Sequence, residues 1–380
     1  MRIKFVILSI ILFGMCCACS EKSNFDEPRP EITVILGLSG AGDNGYNDEI
    51  LAGIMDINES ADVSLSMISP ASMDDARSAL STWLNKELSG VNALLVLAGN
   101  EYESLIQDIT LPQNKSILIF ESEDDNLPNR VSSFMIHRYG VSYLAGCMAS
   151  EAESASVIAA MRSENYLGDA VNGFVEGFSV GGNKAEVIYL AEDESGYGMP
   201  DEGYKIVSRL PYNSFIYPLA GGSNSGMYKA TREEEFNMNL IAGMDVDCSN
   251  YSTRVPFSVI FNIREVVHSL LDEWINGNEL QAHYSFDLSD DDIVYIAFCE
   301  SFFDKLIAWG DYYSDPDYWT QMCDRYKAKA INWRKNRIFA LRKELFEKHE
   351  EYSVIKQVGN FLFIAILMQV LLNGLILKDS

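Results

Sequence analysis

The sequence is poor in the residues that build metal and thiol chemistry. It has four histidines, His137, His268, His283 and His349, and none stands in HExxH or another ligand spacing. No zinc site or other metal site is therefore written into the pattern. Beyond the amino-terminal cluster Cys16, Cys17 and Cys19, only Cys147, Cys248, Cys299 and Cys323 remain, scattered and without a CxxC pair. They form no dense disulfide framework; one structural disulfide and free buried thiols both stay open. A nucleophile elbow is missing too, because Gly221-Gly-Ser-Asn-Ser-Gly226 fits GxSxG in neither frame. Base is scarce: 29 Lys and Arg face 55 Asp and Glu, for a net charge of −26. Residues 327–380 hold 10 of those bases and 5 of the acids, which leaves 50 acids and 19 bases, net −31, in residues 1–326. An acidic body repels nucleic acid and polyanionic ligands and suits a neutral or cationic small solute. Solubility alone also explains the acidity.

The amino terminus is an address rather than fold. Arg2 and Lys4 precede an apolar run from Phe5 to Met15, too short to span a bilayer comfortably, and small residues follow. Cys16-Cys-Ala-Cys19 reads as a lipobox with Cys19 as the acylated (palmitate-bearing) residue. Residues 1–18 are thus expected to be a lipoprotein signal peptide. Residues 19–30, polar and proline-containing, form a tether. At 48% apolar residues the remainder must fold, and it is long enough for two cores.

From Ile32 onward, apolar strand-like runs alternate with helical patterns. Ile32–Leu38, Val63–Ile68, Ala93–Ala98, Ile117–Phe120 and Val131–Ile136 form one strand series, and a second begins at Val157 and ends with Leu240–Met244. Continuous apolar strands between helices predict parallel sheets covered on both faces. Two series predict two doubly wound lobes joined by a hinge: residues 31–136 with 250–282, and 137–249 with 283–325. Ligands of such sheets bind beyond the carboxyl ends of the strands, which predicts a cleft shared by the lobes and closed by hinge motion.

Three segments offer chemistry. Gly40-Ala-Gly-Asp-Asn-Gly45 contains a literal GxGxxG, but the second strand ends Met67-Ile-Ser-Pro70 without the acid a dinucleotide needs. Its polar residues point instead to solute binding by Asp43 and Asn47 at a helix start, with Tyr46 as an aromatic face. Capping of that helix is the competing role. The turn around Gly222 allows close backbone approach to a solute. Asp245 and Asp247 end a strand, as a metal site, an acid/base pair or acceptors for a diol. Diol acceptance is the simplest of these, since a carboxylate accepts bidentately. No cofactor is called for.

Taken in order, these segments resemble the basic membrane protein (BMP) family of bacterial substrate-binding lipoproteins, over roughly Ile32 to Phe298. Asp43-Asn-Gly-Tyr-Asn47 is similar to the family's Asp-x-x-Phe-Asn. Asn129-Arg-Val-Ser-Ser with Ser142-Tyr-Leu-Ala-Gly146, Gly173-Phe-Val-Glu-Gly-Phe178, Ala220-Gly-Gly222 with Gly226, Gly243-Met-Asp245 and Ser285–Asp290 follow its pattern. The resemblance implies a type I periplasmic-binding-protein-like fold and an ABC permease as partner. It further implies a small-molecule ligand, a nucleoside in some members, bound in the periplasm or outside the cell. Carried over, Tyr46 and Tyr197 stack the base, Asp43 and Asn47 bond to its edge, and Asp245 takes the ribose hydroxyls. One departure stands out. The family often has Ser-x-x-Lys after the Asp strand, and here Ser258-Val-Ile-Phe261 puts phenylalanine in the lysine's place.

Residues past about 300 exceed that pattern, and 326–380 form the extension. Tyr326–Tyr352 is charged with an apolar helical stripe, and Phe361–Leu377 is a 17-residue apolar run carrying Gln369 and Asn373. A helical extension is expected, with the run either crossing the membrane, lying on it or packing on a partner. A transport receptor is the leading reading. A membrane-anchored sensor or scaffold is the alternative, and a nucleoside hydrolase using Asp245 and Asp247 comes third.

Overall fold

The computed structural model describes residues 29–332, apart from 39, 44, 89, 123, 125, 164–165, 234–237, 300–301 and 303–315. The signal segment with Cys19, residues 20–28 of the tether, the extension past 332 and the apolar run 361–377 lie outside the described residues. Among the described residues, no helix is long and apolar enough to cross a membrane.

The chain lays down β1 (Glu31–Leu36), α1 (Tyr46–Ser60), β2 (Ser64–Ile68), α2 (Met73–Asn85), β3 (Ala93–Ala98), the short α3 (Glu103–Ile106), β4 (Lys115–Phe120) and β5 (Val131–Ile136). There follow α4 (Tyr139–Ala149), β6 (Ser154–Ala159), α5 (Tyr166–Phe178), β7 (Ala185–Tyr189), α6 (Pro200–Val207), β8 (Ser214–Leu219) and α7 (Asn224–Glu233). The last are β9 (Leu240–Ile241), β10 (Gly243–Asp245), β11 (Phe257–Phe261), α8 (Ile263–Ile275), β12 (His283–Phe286), β13 (Val294–Phe298) and α9 (Pro316–Ile331). Two compact units result: one runs to Ile136 and includes Asn262–Ser285, the other holds His137–Phe261 and the described residues from Phe286.

In the first unit, six strands stand in the order β12-β5-β4-β3-β1-β2. β1 pairs in parallel with both β2 and β3, so the winding reverses direction between β1 and β3. β3 is buried at every position, as an apolar ALLVLA run between two layers must be. Ala76, Leu80 and Trp83 of α2, one helical face at i, i+4 and i+7, pack on Leu95, Leu97, Ile117 and Ile119. The end of α2 is finished from another element. Lys115, 3% exposed, donates its Nζ to the carbonyls of Trp83, Leu84 and Lys86, each at 2.8 Å. All three ammonium donors thus meet carbonyls at the end of a helix that has no basic residue in its last turn. α1 and α8 approach closely at Gly53, where a Cβ would lie 2.7 Å from the Arg264 carbonyl, and Arg264 holds Asp56 with two bonds of 2.6 and 2.8 Å.

The second unit has a four-stranded parallel sheet, β7-β6-β8-β9, and a three-stranded one, β10-β11-β13. Here the winding reverses between β6 and β8. Leu240–Met244, expected as one strand, is broken at Ala242, with β9 on one sheet and β10 on the other. The second crossing of the chain also shifts from the expected residue 250. β11 pairs in parallel with β10 and antiparallel with β13, which keeps Phe257–Phe261 in the second unit. β12, expected there, joins β5 instead, with Ser133 N–H donating to the Ala282 carbonyl.

α4 is buried along its whole length because α5 lies against it backbone to backbone. A Cβ on Gly146, Gly173 or Gly177 would meet the carbonyl of Phe174, Tyr139 or Tyr143 at 2.3, 2.4 or 2.1 Å. This contact explains the small residues of Ser142–Gly146 and Gly173–Phe178. Beside it, Phe174 stacks on Tyr217 at 4.3 Å between ring centroids, and Phe215 on Phe257 at 5.7 Å. Trp319 of α9, fully buried, closes that cluster at 5.5 Å from Phe257, and the Tyr318 hydroxyl donates to the Met148 carbonyl at 3.1 Å. α9 starts ten residues before the expected extension at 326 and belongs to the second core. Cys147, Cys248, Cys299 and Cys323 are free thiols, the first three buried.

Two substitutions test this packing. Trp319→Ala should cost about 3–5 kcal/mol in urea unfolding of the second unit; a loss below about 1 kcal/mol would mean that α9 is not part of the core. Gly177→Val should destabilise by several kcal/mol through overpacking of α4 on α5, whereas the same change at Gly182, with open space around it, should stay near its left-handed backbone strain of about 1–2 kcal/mol.

Candidate functional site

In the first unit the switch point lies between β1 and β3, and the expected binding turn follows β1. Asp43 is half-buried and fully engaged: Oδ1 accepts from the backbone N–H of Gly45 (3.0 Å) and Asp48 (3.3 Å). Oδ2 accepts from the Asn47 backbone N–H and the Asn47 Nδ2, both at 3.0 Å. The carboxylate therefore takes orphan donors at the start of α1, the work of an N-cap done from outside the cap position, which Gly45 fills. Asp48 answers by accepting from Gly42 N–H at 2.7 Å. Capping, the competing role for Asp43, is what the structure shows. The bond from Nδ2 turns the Asn47 amide so that its Oδ1 faces Gly37, 3.6 Å from where a Cβ would stand. Tyr46 opens α1 and is half-buried.

Beside Asn47 lies a residue that the sequence reading missed. Glu101, in the turn after β3, accepts the Leu38 N–H at 3.1 Å, and its carboxylate fills the space a side chain at Gly99 would need. Glu121, the residue after β4, lies in the left-handed region (φ 58°), is 2% exposed, and accepts Ile136 N–H at 3.2 Å. An acid just past a buried strand and its closing glycine, as in Ala98-Gly-Asn-Glu101, is the signal that could have found Glu101.

In the second unit the switch point lies between β6 and β8, and Tyr197 occupies it. Its 3-10 segment Glu194–Gly198 is pinned by the Ser223 hydroxyl, which donates to the Gly196 carbonyl at 2.7 Å and accepts Met199 N–H at 2.6 Å. The Tyr197 ring lies against Gly221, 3.0 Å from where a Cβ would stand, and Gly221 also needs its φ of 49°. Gly222, next in the turn, is half-buried and its carbonyl accepts from Ser225 Oγ at 2.7 Å.

Asp245 ends β10 half-buried, with φ 69°. Two contacts shape the backbone that carries it. The Tyr228 hydroxyl donates to the Ala242 carbonyl at 3.3 Å and accepts Met244 N–H at 3.1 Å, bridging the break between the sheets. Gly243 leaves room for Ser258, whose Oγ accepts Cys248 N–H at 3.1 Å; a Cβ at Gly243 would lie 2.0 Å from that oxygen. Asp247, by contrast, is exposed and forms its own turn by accepting Ser249 N–H at 2.9 Å, so the two acids do different work.

Two further residues of this cluster were not foreseen. Arg138, 6% exposed, places its guanidinium carbon 4.4 Å from the Tyr166 ring centroid and 4.9 Å from that of Phe261. A cation thus lies over the ring that stands where the family often has lysine. Tyr166 is hydrogen-bonded to Tyr197. Burial pushes the Tyr197 phenol's pKa up, the Tyr166 bond and Arg138 pull it down, and Glu194 and Asp245 push it up. Burial likewise raises Tyr217, with Asp245 raising and Arg138 lowering it. Among the described residues no group of three His, Cys, Asp or Glu could hold a metal ion. An open groove of about 640 Å³ along α6 and α7, lined by Tyr204, Tyr228, Lys229 and Tyr251, contains none of the expected site residues.

The family model of PnrA-like ABC transporter substrate-binding proteins (Bmp) matches residues 34–297. No curated protein matches the sequence. Among solved structures, an ABC transporter solute-binding protein from Aeropyrum pernix K1 is 17% identical with a TM-score of 0.60, covering 81% of this chain and 89% of that one. Another from Conexibacter woesei DSM 14684 is 12% identical with a TM-score of 0.55, over 81% and 97%. A transcriptional activator from Bacillus halodurans is 17% identical with a TM-score of 0.56, over 79% and 97%. At such identities the likeness shows the fold, that of periplasmic-binding-protein-like solute-binding proteins. With more than half of its length matched by the family model, in the order its motifs implied, the chain belongs to the Bmp family of ABC transporter substrate-binding proteins.

Proposed function

We propose that the protein is the exported receptor of an ABC-type importer, lipid-anchored through Cys19, which delivers a small neutral, nucleoside-like solute to its permease and catalyses no reaction. The observation that carries this reading is Asp245, held in a left-handed backbone conformation at the end of β10, in the electrostatic neighbourhood of Tyr197 on the glycine turn. Its carboxylate takes a pair of sugar hydroxyls, each charged hydrogen bond contributing about 1.5–3 kcal/mol. Tyr197 and Tyr46 present aromatic faces to the base, Asn47 bonds to its edge, and the Gly222 turn approaches it by backbone. Asp43 acts through Asn47, as the group that orients the amide.

Calorimetry with a panel of nucleosides tests the reading: binding without turnover supports it, and release of free base or sugar replaces the receptor with a hydrolase. Asp245→Ala should weaken binding about tenfold or more while leaving the melting temperature near that of the wild type; unchanged affinity removes Asp245 from the site. Asp43→Ala should lower both affinity and stability, the latter by about 1 kcal/mol through loss of the cap. A stable Asp43→Ala protein with normal melting would contradict its role at the start of α1.

A further inference from the structure

The groove along α6 and α7 lies wholly within the second unit and holds none of the residues assigned to the solute. Its charge is out of keeping with the molecule around it. Residues 1–326 carry a net −31, yet two exposed cations, Lys229 and Arg232, line the groove from α7, three residues apart and so neighbours on the helix surface. Among the described residues neither is ion-paired. A carboxylate is within sequence reach, since Glu233 follows Lys229 by four residues, a spacing at which helical neighbours meet. The Lys229 ammonium instead lies over the Tyr204 ring of α6, 5.6 Å from its centroid. On α6 itself such a surface pair does form, Lys205 with Glu202 at 3.3 Å. Arg232 is held by one long bond, from Nη1 to the Tyr251 carbonyl at 3.4 Å. Both cations are thus placed by neutral groups, with most of their N–H donors left over.

The shape narrows what those donors meet. The groove holds about 640 Å³ and is open to water. A small solute is normally enclosed over most of its surface, whereas an open groove suits a chain that enters at one end and leaves at the other. Its α7 wall, from Ser225 to Glu233, runs about 12 Å, the span of about four extended residues. Tyr251, stacked on Tyr228 at 5.7 Å and 36% exposed, adds an aromatic face. The groove has acids of its own. Asp201 stands in the first turn of α6 and Glu233 is the last residue of α7. Because both helices follow parallel strands, these two acids fall towards opposite ends of the groove. Negative charge is therefore favoured beside Lys229 and Arg232 and disfavoured on either side of them.

We infer that this groove docks an extended segment of a protein partner, one that carries two acidic residues next to an aromatic one, with uncharged residues on both sides. The carboxylates meet Lys229 and Arg232, and the ring covers Tyr251. The inference is independent of which solute the protein captures.

The test is fluorescence anisotropy on the full chain with labelled decapeptides, Tyr-Glu-Glu or Tyr-Gln-Gln flanked by glycine and serine. The glutamate peptide should bind about tenfold or more tighter than the glutamine one, because hydrogen bonds to charged groups are the stronger kind, and its advantage should shrink as salt is raised. Lys229→Glu should weaken the glutamate peptide about tenfold or more by setting like charges against each other. Lys229 is exposed, so the variant should keep the wild-type melting temperature. No solute is added, so the outcome stands apart from the nucleoside reading. Equal binding of the two peptides, no binding of either at millimolar concentration, or a Lys229→Glu protein that binds as the wild type does overturns the inference. So does inorganic phosphate that displaces the glutamate peptide at equal concentration, which would make the groove a small-anion site, or binding of phosphatidylglycerol vesicles in place of the peptide.

Discussion

One phenol sets the backbone on which the second unit's site is built. At Ala242 the chain leaves the four-stranded sheet and at Gly243 it enters the three-stranded one, and the Tyr228 hydroxyl bridges the step by bonding to Ala242 O and Met244 N–H. Without such a bridge two backbone groups would be buried without partners, at a cost of about 1–3 kcal/mol each. Tyr228 is itself fixed, its ring stacked on Tyr251 at 5.7 Å. From that step the backbone has room for one arrangement: Gly243 passes under Ser258, and Asp245 emerges with a positive φ at the strand's carboxyl end. An aspartate tolerates that conformation better than most residues, which makes it a suitable last residue as well as a suitable ligand group. Structure and chemistry are set by the same short segment.

The two units repeat a single arrangement in different residues. Each is wound in both directions from its first strand, which leaves a gap between the diverging loops where a ligand can meet backbone donors. In the first unit the gap is edged by Asn47 and Glu101, and in the second by Tyr197 and the Gly221 turn. Each unit also ends a strand with an acid in the left-handed region, Glu121 in one and Asp245 in the other. Backbone strain of about 1–3 kcal/mol at such positions persists only where surrounding bonds enforce it. For Glu121 those bonds are Glu121 N–H to the Phe134 carbonyl and Ile136 N–H to its own carboxylate. Both acids lie at the carboxyl ends of strands, whereas Arg130 and Asn213, also in the left-handed region, precede the amino ends of β5 and β8.

How legible this was depended on whether a signal was local. Strands such as Ala93–Ala98 and Val131–Ile136 lie where apolar continuity places them, because full burial on two faces writes itself into every position. The glycines of α4 and α5 were visible as motifs, but their reason, backbone contact between helices, needed the partner helix. The break at Ala242 was invisible, since Leu240–Met244 is evenly apolar and only Tyr228, fourteen residues upstream of Ala242, decides where the strand changes sheet. Asp43 was legible as a turn acid, whereas the choice between ligand and cap required the four bonds it accepts. Arg138 and Tyr166 went unseen for a similar reason: nothing in either one's neighbouring sequence announces that they meet over Phe261.

The helix α9 shows that the family match and the folded unit have different limits. The matched region ends at residue 297, yet Trp319 is fully buried against Phe257 of β11, with Phe215 of β8 6.3 Å away. Those two strands belong to different sheets of the second unit, so the indole packs on both and helps tie them together. The backbone path from β9 to β10 crosses between the same two sheets. Gly243 of β10 is the register partner of Ser258 of β11, so a shift of β11 against β8 would carry β10 with it and pull on the step at Ala242. Residues outside the segment matched by the family model therefore stiffen the step that carries Asp245, and the geometry of the strand end depends on a helix whose sequence gives no hint of a binding role.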